Sequence, residues 1–495
     1  MDYLNALETA EIWGVSLQTV LKYCHEGQIQ GAYKEGKEWH IPEDAKLPIK
    51  RRYNKKRNFT FIDLFCGIGG FHQAMNDLGG TCVFACDINA QCREVYKKNF
   101  CTGNEFPVMG DIRDAIKKNA IPEFDVLCGG FPCQTFSKAG LQNGFRVVQN
   151  KQGETDDRGQ LFYRIIDILK QHTECKYIVL ENVRNLADKK ENWEVICSEL
   201  KALDFIITEE PIIASPHMFG IPQVRERVFI LGIKKDAIDK RKKLPKGYLT
   251  PELLHIEKYK QPITEDHNCL SSVLEDKVDD KYIIPEDKEE IIGIWEEFKN
   301  NVHGLLSPFW LHKAGVGIYN RDEYYEDPDI GYQEMPEWKQ NMVMKSRRVY
   351  EQNYKFIDSW VVRHDMLNRS LLHQKLEWNV GSDYESMKDC IIQIRQSGVR
   401  VKRPNFFPSL VVMRNTPIIW DKEKNHYRYI TPREAAKLQS FNGNFKFSDI
   451  DSVSYEQLGN SVNVKLVKMF ANELFKLGVW QKNDTDYVQI RFVWG

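Results

Sequence analysis

The sequence predicts an α/β fold built on a doubly wound, Rossmann-like sheet. Five short apolar runs between Phe59 and about residue 233 alternate with amphipathic helical segments. A glycine-rich turn follows the first run, and an acidic residue stands where the second run ends. Because the runs are continuous and rich in β-branched and aromatic residues, we expect all of them to be buried parallel strands. They read FTFIDLF, CVFACDI, FDVLCGG, KYIVLENV and RVFILGI.

Length and composition are those of a globular chain with several domains. Of its 495 residues, 42% are hydrophobic and 28% are charged. No apolar run is long enough to cross a membrane and no secretory signal opens the chain, so we expect a cytosolic protein. The 12 scattered cysteines include no pair of CxxC motifs, which argues against disulfides in that compartment and against structural zinc. A net charge of -1 leaves nucleic-acid binding open, because binding needs only a local basic face.

Residues 1–48 carry the pattern of a small DNA-binding module. Helices are predicted over residues 8–13 and 16–26, the second with Ser16 as its N-cap. Two short alternating segments around Gly36 predict a hairpin. This outline resembles the excisionase and MerR-like winged helix-turn-helix group, which implies DNA binding. The alternative interpretation is a helical cap that packs on the main body.

The rest of the chain divides into four segments. Residues 49–58 form a basic linker, and residues 59–233 form the first part of the sheet domain. Residues 234–427 are irregular in pattern and rich in tryptophan, tyrosine and charge, so we expect a separate recognition domain there. Residues 428–495 become helical again at TPREAAKLQSF and QLGNSVNVKLVKMFANELF, and we expect them to return to the first sheet.

The first strand and its turn, FIDLFCGIGGF, indicate a nucleoside cofactor. Gly67, Gly69 and Gly70 allow the backbone to turn tightly and to approach a ligand. The second strand ends in Asp87, about 20 residues on, where a carboxylate suits ribose hydroxyls. Asp111 follows the next strand end, and a cofactor contact and a helix N-cap are both open for it. The GxGG spacing disfavours a dinucleotide as the cofactor. The turn alone, however, is compatible with both a dinucleotide and S-adenosylmethionine.

Further motifs place reactive side chains near the carboxyl ends of strands. Cys133, in GGFPCQTFSKAG, lies in a loop after the strand FDVLC, whereas Cys128 lies within that strand, as a buried cysteine typically does. Glu181, in ENV, follows the strand YIVL, and a glutamate in a dehydrated cleft can hold a proton near neutral pH. Arg225 and Arg227, in QVRERVF, suit a phosphate or a base carbonyl.

These motifs, in this order, resemble those of the cytosine-5 DNA methyltransferases. The matching set is FxDLFCGxGG, CD at the second strand, GDI, GGFPCQxFS, GQLFxxI, ENV, QxRER, TPREAAKLQSF and QLGNSV. It spans Phe59–Gly232 and about Arg428–Phe475. The resemblance implies a Rossmann-like methyltransferase domain, with a target-recognition domain between its two parts. It also implies S-adenosylmethionine as the cofactor, and we expect no metal.

The resemblance implies a role for each reactive side chain. Cys133 attacks carbon 6 of the target cytosine as a thiolate, and Glu181 donates a proton or a hydrogen bond to ring nitrogen 3. Arg227 holds the base near its carbonyl oxygen, with Arg225 in support. Carbon 5 takes the methyl group from S-adenosylmethionine, and β-elimination frees the enzyme. The target base must be flipped out of its duplex to be reached.

The resemblance also marks binding residues. The implied cofactor contacts are Phe65, Gly67, Gly69, Gly70, Asp87, Ile88, Asp111, Ile112, Pro132, Leu161, Asn460, Ser461 and Val462. The implied DNA contacts are Gln134, Ser137, Arg158, Ser409 and Leu410. The segment from Ser137 to Arg158 corresponds to the mobile loop that closes over the flipped base. Six further cations are candidates either for DNA contacts or for solvated surface charges: Arg347, Arg348, Arg395, Arg400, Lys402 and Arg403.

The expected function is therefore sequence-specific methylation of cytosine in duplex DNA, as the modification enzyme of a restriction-modification system. An RNA cytosine-5 methyltransferase with the same motifs is the alternative, although a large recognition domain suits the reading of a duplex. A transcriptional regulator centred on residues 1–48 is a third hypothesis. It can coexist with the first if the enzyme binds its own promoter. We expect the protein to act as a monomer.

Overall fold

The structure is a computed structural model in which the chain forms two compact units, residues 1–56 and 57–495. It describes residues 3–13, 17–25, 29, 31–36, 38–43, 45, 59–101, 106–132, 148–149, 155–156, 160–242, 244, 247–264, 266–313, 335–410 and 415–479. Within these ranges, no helix has both the length and the apolar character needed to cross a membrane.

The N-terminal unit combines two helices with a small antiparallel sheet. Its elements are β1 (Tyr3–Leu4), α1 (Ala6–Trp13), α2 (Leu17–His25), β2 (Tyr33–Glu35) and β3 (Glu38–Pro42), and the strand order is β1-β3-β2. Asn5 Oδ1 accepts hydrogen bonds from the backbone N–H groups of Leu7 and Glu8, so α1 begins two residues before its predicted start. The β2–β3 hairpin turns at Gly36, whose φ is +62°. The predicted hairpin is confirmed, and β1 is a strand that the pattern did not indicate.

The larger unit is built on an eight-stranded sheet. Its strands are β4 (Phe59–Leu64), β5 (Gly80–Cys86), β6 (Val108–Met109), β7 (Val126–Gly129), β10 (Tyr177–Val183), β11 (Phe205–Ile207), β12 (Ile212–Ala214) and β13 (Arg227–Lys234). The order is β11-β13-β10-β7-β4-β5-β6, and β12 also pairs with β13. A separate two-stranded ribbon joins β8 (Val148–Gln149) and β9 (Thr155–Asp156).

Four of the five predicted strands, β5, β4, β7 and β10, run parallel to one another. The prediction that β13 is parallel as well is wrong, because β13 pairs antiparallel with β10. A strand that is buried on both faces shows the same continuous apolar run whichever way it points. Its direction depends on the connection that precedes it, and here that connection is formed by the short strands β11 and β12, both antiparallel to β13.

Helices cover both faces of this sheet, which confirms the doubly wound fold. Residues of α3 (Gly70–Asp77), α4 (Ala90–Phe100), α12 (Pro432–Leu438), α13 (Asp451–Asn460) and α14 (Val464–Phe475) belong to one core cluster. Residues of α5 (Ile112–Lys117), α6 (Leu161–Gln171), α7 (Asn185–Asp188) and α8 (Lys190–Lys201) belong to the other. The ring of Phe475, at the end of α14, lies 5.1 Å from Phe59 and 5.0 Å from Tyr177, so the C-terminal helix packs on the first sheet.

Residues 234–427 are more regular than their sequence pattern indicates. A short helix, α9 (Leu270–Val273), precedes α10 (Glu286–Asn301), α11 (Glu337–Arg363) and a six-stranded sheet. Its strands are β14 (Phe309–Trp310), β15 (Lys375–Asn379), β16 (Ile391–Arg395), β17 (Gly398–Lys402), β18 (Ile418–Asp421) and β19 (His426–Tyr429), in the order β14-β15-β17-β16-β18-β19. Trp295, Phe298 and Trp360 fill the core between the helices and this sheet. The strands are short and separated by long connections, so no repeating pattern marks them.

The second sheet shares a core with the first one. Ile391 and Ile419 lie in the same hydrophobic cluster as strands of the first sheet. A fully buried ion pair adds to this junction, because Arg428 on β19 donates two 2.9 Å hydrogen bonds to the Glu434 carboxylate on α12. Glu434 also accepts from the backbone N–H of Thr431, whose hydroxyl caps α12 in return. Two buried charges that satisfy each other in this way hold the sheet and helix in one geometry.

Candidate active site

Most predicted site residues gather where the parallel strands of the first sheet end. The turn after β4 spans residues 65–70, Asp87 follows β5, Pro132 comes shortly after β7, and Glu181 lies near the end of β10. Because parallel strands end at one edge, these groups line the edge where open α/β sheets bind ligands. Four predicted site residues lie outside the described residues, and their roles stay predictions: Cys133, Gln134, Ser137 and Arg158.

The three glycines of the first turn have different surroundings. Gly67 has a φ of +51°, and a Cβ placed on it would meet no atom within 4 Å, so this part of the turn borders open space. A Cβ on Gly69 would collide with the ring of Phe100. A Cβ on Gly70 would lie 2.8 Å from Cγ1 of Val462. Gly67 therefore faces the space a ligand can use, whereas Gly69 and Gly70 allow close packing behind it.

Asp87 is tied to the glycine turn by its carboxylate. Oδ2 accepts a 2.8 Å hydrogen bond from the backbone N–H of Gly67, and Oδ1 accepts one of 2.8 Å from Asn89. Burial raises the pKa of Asp87, and the two backbone donors and the Arg93 charge oppose that rise. Arg93, which sequence reasoning missed, donates from Nη1 to the carbonyl oxygens of Asp87 and Ile88 at 2.6 and 2.9 Å. No local motif marks Arg93, because its contact is defined only by the packing of α4.

The surroundings of Asp87 fit the nucleoside part of S-adenosylmethionine. Ile88 is 74% exposed, an aliphatic side chain that stands free beside a carboxylate and can cover the flat face of a base. A carboxylate has lone pairs for further donors, such as ribose hydroxyls, beyond the two backbone N–H groups. Phe65 adopts a φ of +54°, a conformation that costs a bulky residue about 1–3 kcal/mol and is typical of ligand sites.

The next strand end shows a structural role for Asp111. Its side chain caps α5 by accepting from the backbone N–H of Arg113, and its carboxylate also binds the Arg113 guanidinium, with an Nη2–Oδ2 distance of 2.7 Å. These contacts lower the pKa of Asp111. Ile112 is buried in the core, and Leu161 is half-buried at the first turn of α6. The N-cap interpretation is therefore confirmed, and a cofactor contact for these three residues stays a prediction.

Glu181 and Arg227 form an ion pair at the end of β10. The distance from Arg227 Nε to Glu181 Oε1 is 2.8 Å, and both side chains are mostly buried. Burial raises the pKa of Glu181, while the charges of Arg227 and Arg225 oppose the rise. A Cβ placed on Gly130 would lie 3.3 Å from Glu181 Oε2, so the segment after β7 passes directly beside this carboxylate.

Asn182 fixes the segment that leads to Cys133. Its Nδ2 donates a 3.1 Å hydrogen bond to the carbonyl oxygen of Phe131, the residue before the half-buried Pro132. The ENV motif contains Asn182, but sequence reasoning assigned a role only to its glutamate. Nearby thiols are unsuited to nucleophilic attack, because burial raises the pKa of Cys66 and Cys128 well above the ordinary value.

Arg225 is buried and connects three parts of the site. Its backbone N–H donates to the Ser215 hydroxyl at 2.8 Å. Its guanidinium donates to the Ser461 carbonyl oxygen at 2.6 Å, and to the Ser409 hydroxyl and the Leu410 carbonyl oxygen at 3.3 Å. The structure thus brings Ser409 and Leu410 next to QVRER, although the Leu410 side chain is itself buried. Arg225 holds the segments together, which agrees with a supporting part rather than a contact with the base.

The segment 460–462 reaches the glycine turn from the other end of the chain. Val462 packs where a Cβ on Gly70 would lie, and the Ser461 carbonyl oxygen binds Arg225. Asn460 ends α13 and is exposed. Predicted cofactor residues that are almost 400 positions apart in the sequence thus lie side by side.

The six candidate cations of the recognition domain fall into two groups. Arg347 is half-buried and Arg348 exposed on α11. The others belong to the second sheet or follow it. Arg395 and Arg400 bind Glu377, Arg403 binds Asp383, and the Lys402 ammonium lies 5.1 Å from the centre of the Phe406 ring.

Comparison with known proteins identifies the family of the chain. The family model described as C-5 cytosine-specific DNA methylase matches residues 59–476. The Type II methyltransferase M.AluI of Cellulosimicrobium cellulans is 27% identical to the chain, over 84% of this chain and 91% of the relative. M.BanI of Aneurinibacillus aneurinilyticus is 29% identical over 85% and 96% of the two chains. M.HgiCI of Herpetosiphon aurantiacus is 30% identical over 84% and 97%. Because the family model covers well over half of the sequence, the chain belongs to the C-5 cytosine-specific DNA methylase family, whose members use S-adenosylmethionine as methyl donor.

Proposed function

We propose that the chain is the modification enzyme of a restriction-modification system, which methylates carbon 5 of one cytosine within a fixed duplex DNA sequence. The family assignment supports methylation of DNA, and the similarity to Type II methyltransferases supports a restriction-modification system. The observation that carries the chemistry is the Glu181–Arg227 pair, 2.8 Å apart, beside the segment that leads to Cys133.

In the proposed reaction Cys133 adds to the flipped cytosine as a thiolate. The new sulfur–carbon 6 bond pushes electron density toward carbon 5, and Glu181 stabilises that density by donating a proton or hydrogen bond to nitrogen 3. Arg227 holds the carbonyl oxygen of the base through its guanidinium. When bound, S-adenosylmethionine supplies the methyl group that carbon 5 takes. Water then takes the proton from carbon 5, and that electron pair restores the double bond between carbons 5 and 6 as the sulfur–carbon 6 bond breaks. Nitrogen 3 returns its proton to Glu181, and Cys133 leaves as a thiolate.

The cofactor would be held by residues at the ends of β4 and β5. Asp87 would bind the ribose hydroxyls, and Ile88 and Phe65 would flank the base. Gly67 leaves open space for the cofactor, and the segment 460–462 would close the site from the other side. Arg93 would keep Asp87 and Ile88 in place, because it binds both of their carbonyl oxygens.

Replacing Asp87 with alanine is expected to weaken cofactor binding about 10- to 100-fold, since hydrogen bonds to a charged group contribute about 1.5–3 kcal/mol. The Gly67 N–H would lose its acceptor as well, so the turn would loosen. Isothermal titration with S-adenosylhomocysteine measures the affinity directly. Asp77→Ala is the matched control, because Asp77 pairs with Lys468 at the far end of α3. Unchanged affinity in Asp87→Ala would contradict the ribose assignment.

We further propose that residues 1–48 bind the enzyme's own promoter. Two helices followed by a hairpin support this reading. The large unit would act on its duplex substrate as a monomer, because contacts with an asymmetric site need only one copy of the chain.

Deletion of residues 1–50 is expected to leave methylation of substrate DNA unchanged and to abolish binding to the promoter. The cut falls between the N-terminal helices and the first strand of the catalytic sheet. Gel shifts with upstream DNA and methyl-transfer rates on substrate DNA separate the two activities. Collapse of methylation would instead show that the segment is a structural cap or part of the substrate site.

Methyl transfer from labelled S-adenosylmethionine tests the proposed function itself. Unmethylated duplex DNA and a structured RNA are offered in parallel, and bisulfite sequencing maps the products. Label in DNA at one short motif is the expected result and identifies the recognised site. Label only in RNA would overturn the proposal in favour of RNA methylation. Absence of label in both, from folded protein that binds the cofactor, would make regulation through residues 1–48 the hypothesis to test.

A further inference from the structure

One face of the second sheet is rich in positive charge, and its side chains are only partly exposed. Side chains alternate along its strands, so that Leu376, Val399 and Ile392 point into the core beneath α10 and α11. Register places Glu377 opposite Arg400, and the alternate positions bring further cations to the same outer face. We call this the basic face, formed by Lys375, Glu377, Arg395, Arg400 and Lys402. Its formal charge is +3, from four cations and one carboxylate.

Glu377 holds three of these cations in fixed positions. Its Oε2 lies 2.6 Å from both Arg395 Nη2 and Arg400 Nε, and its Oε1 lies 3.0 Å from Lys375 Nζ. Glu377 itself is 8% exposed. Burial would raise its pKa, but the hydrogen bonds and charges of the surrounding cations lower it, so the carboxylate stays ionised.

The charge of the basic face is not balanced within the described residues. Lys402 has no carboxylate partner there, and burial together with the charges of Arg400 and Arg395 lowers its pKa. Three cations contact one carboxylate and Lys402 adds a fourth positive charge, and repulsion among partly desolvated charges favours an additional anion or electron-rich group. The face therefore suits a partner of that chemistry.

The sheet that carries the basic face packs against the catalytic part of the chain. Ile391, which pairs with Lys402, lies in the core cluster of the catalytic sheet. The segment after β17 places the Phe406 ring 5.3 Å from His217, and the Phe407 carbonyl oxygen accepts a 2.9 Å hydrogen bond from the N–H of Val224. Val224 precedes Arg225 in the QVRER motif, so the chain that leaves the basic face at Lys402 contacts a motif of the candidate active site within a few residues.

We propose that Arg400 reads a guanine of the recognised sequence, with Glu377 as the positioning residue that orients its guanidinium. This rests on the proposed function. Arg400 uses Nε for Glu377, and its two Nη groups have no hydrogen-bond partner among the residues that the structure describes. Two parallel N–H donors match O6 and N7 of guanine in the major groove. A phosphate contact needs only positive charge, whereas recognition of a base needs a guanidinium held in one orientation. The buried carboxylate of Glu377 holds the Arg400 guanidinium in this way.

Methylation of a duplex library with randomised sequence, followed by bisulfite sequencing, tests the assignment. Wild-type protein is expected to require a guanine at one position besides its target cytosine. Arg400→Lys keeps the positive charge but removes the two parallel N–H donors of the guanidinium. Discrimination at that guanine should therefore fall about 5- to 150-fold while methylation persists. Arg363→Lys is the matched control, because Arg363 pairs with Glu297 on the helices behind the sheet, and it should keep the wild-type profile.

The methylation profiles distinguish a base contact of Arg400 from a phosphate contact. A uniform loss of rate with an unchanged profile would make Arg400 a phosphate contact and overturn the proposal, as would a wild-type profile and rate. If wild-type protein methylates no DNA, the proposed function fails, and the guanine assignment fails with it. Glu377→Gln should relax the same guanine position as Arg400→Lys. A lower melting temperature with an intact sequence profile would show that Glu377 is only structural, and would overturn its positioning role.

Discussion

Replacing Cys133 with alanine should abolish methyl transfer and leave cofactor binding intact. In the proposed mechanism, carbon 5 of cytosine becomes nucleophilic only after a thiolate has added to carbon 6, so no other group supplies the missing step. The cysteines that surround the site cannot substitute, because burial raises the pKa of Cys66 and Cys128. Transfer of label to substrate DNA measures turnover, and titration with S-adenosylhomocysteine measures cofactor binding.

The adduct itself gives an independent readout for Cys133. A duplex with 5-fluorocytosine at the target position cannot lose a proton from carbon 5, so the sulfur–carbon 6 bond formed during methylation should persist and survive denaturing electrophoresis. Wild-type protein should form this species and Cys133→Ala should not. Cys197→Ala, which removes a partly exposed thiol on α8, serves as the control and should behave like wild type. Retained methylation in Cys133→Ala would eliminate Cys133 as the nucleophile.

Replacing Glu181 with glutamine is expected to lower the rate of methylation about 10²- to 10⁴-fold, the range for loss of a general acid. The amide keeps the shape of the side chain and can donate a hydrogen bond, but it has no acidic proton to transfer to nitrogen 3 of cytosine. Arg227 would lose its charged partner, so thermal unfolding should be recorded beside the rate. Glu194→Gln, an exposed change on α8, is the control. A Glu181→Gln enzyme with wild-type turnover would disprove the assigned role.

The pH dependence of the rate follows from the same residue. Burial raises the pKa of Glu181, so its acid form persists to a higher pH than that of an exposed glutamate. If the acid form is the active one, the single-turnover rate of the wild-type enzyme should fall as the pH rises through this pKa. Glu181→Gln has no proton to lose there, and that decline should be absent from its profile.

Much of the catalytic half could be predicted because its signals are local. A strand that ends in a glycine turn, or in a single acid, is encoded by adjacent residues, and the parallel strands β4, β5, β7 and β10 confirm that reading. Helix ends were similarly predictable where a capping residue precedes the helix, as Asp111 does for α5. The order of the motifs indicated the family, which the match over residues 59–476 establishes.

The contacts that assemble the site join residues that are far apart in the sequence. Arg225 binds Ser409, Leu410 and Ser461, and Gly70 is a glycine because Val462 packs against it. Each of these pairs is separated by hundreds of residues or joins different motifs, so no local pattern contains it. The roles of Arg93 and Asn182 could not be predicted for the same reason, because their partners are backbone carbonyl oxygens brought close by packing.

The fold class, the strand ends that carry chemistry and the family could be predicted from residues that are close along the chain, because alternation, turns and motifs are local. The antiparallel direction of β13, the six-stranded sheet within residues 234–427, and the contacts of Glu377 with cations on three adjoining strands appear only in the folded chain. Strand direction and cross-strand contacts are set by which elements pair, and pairing is a property of the packed chain.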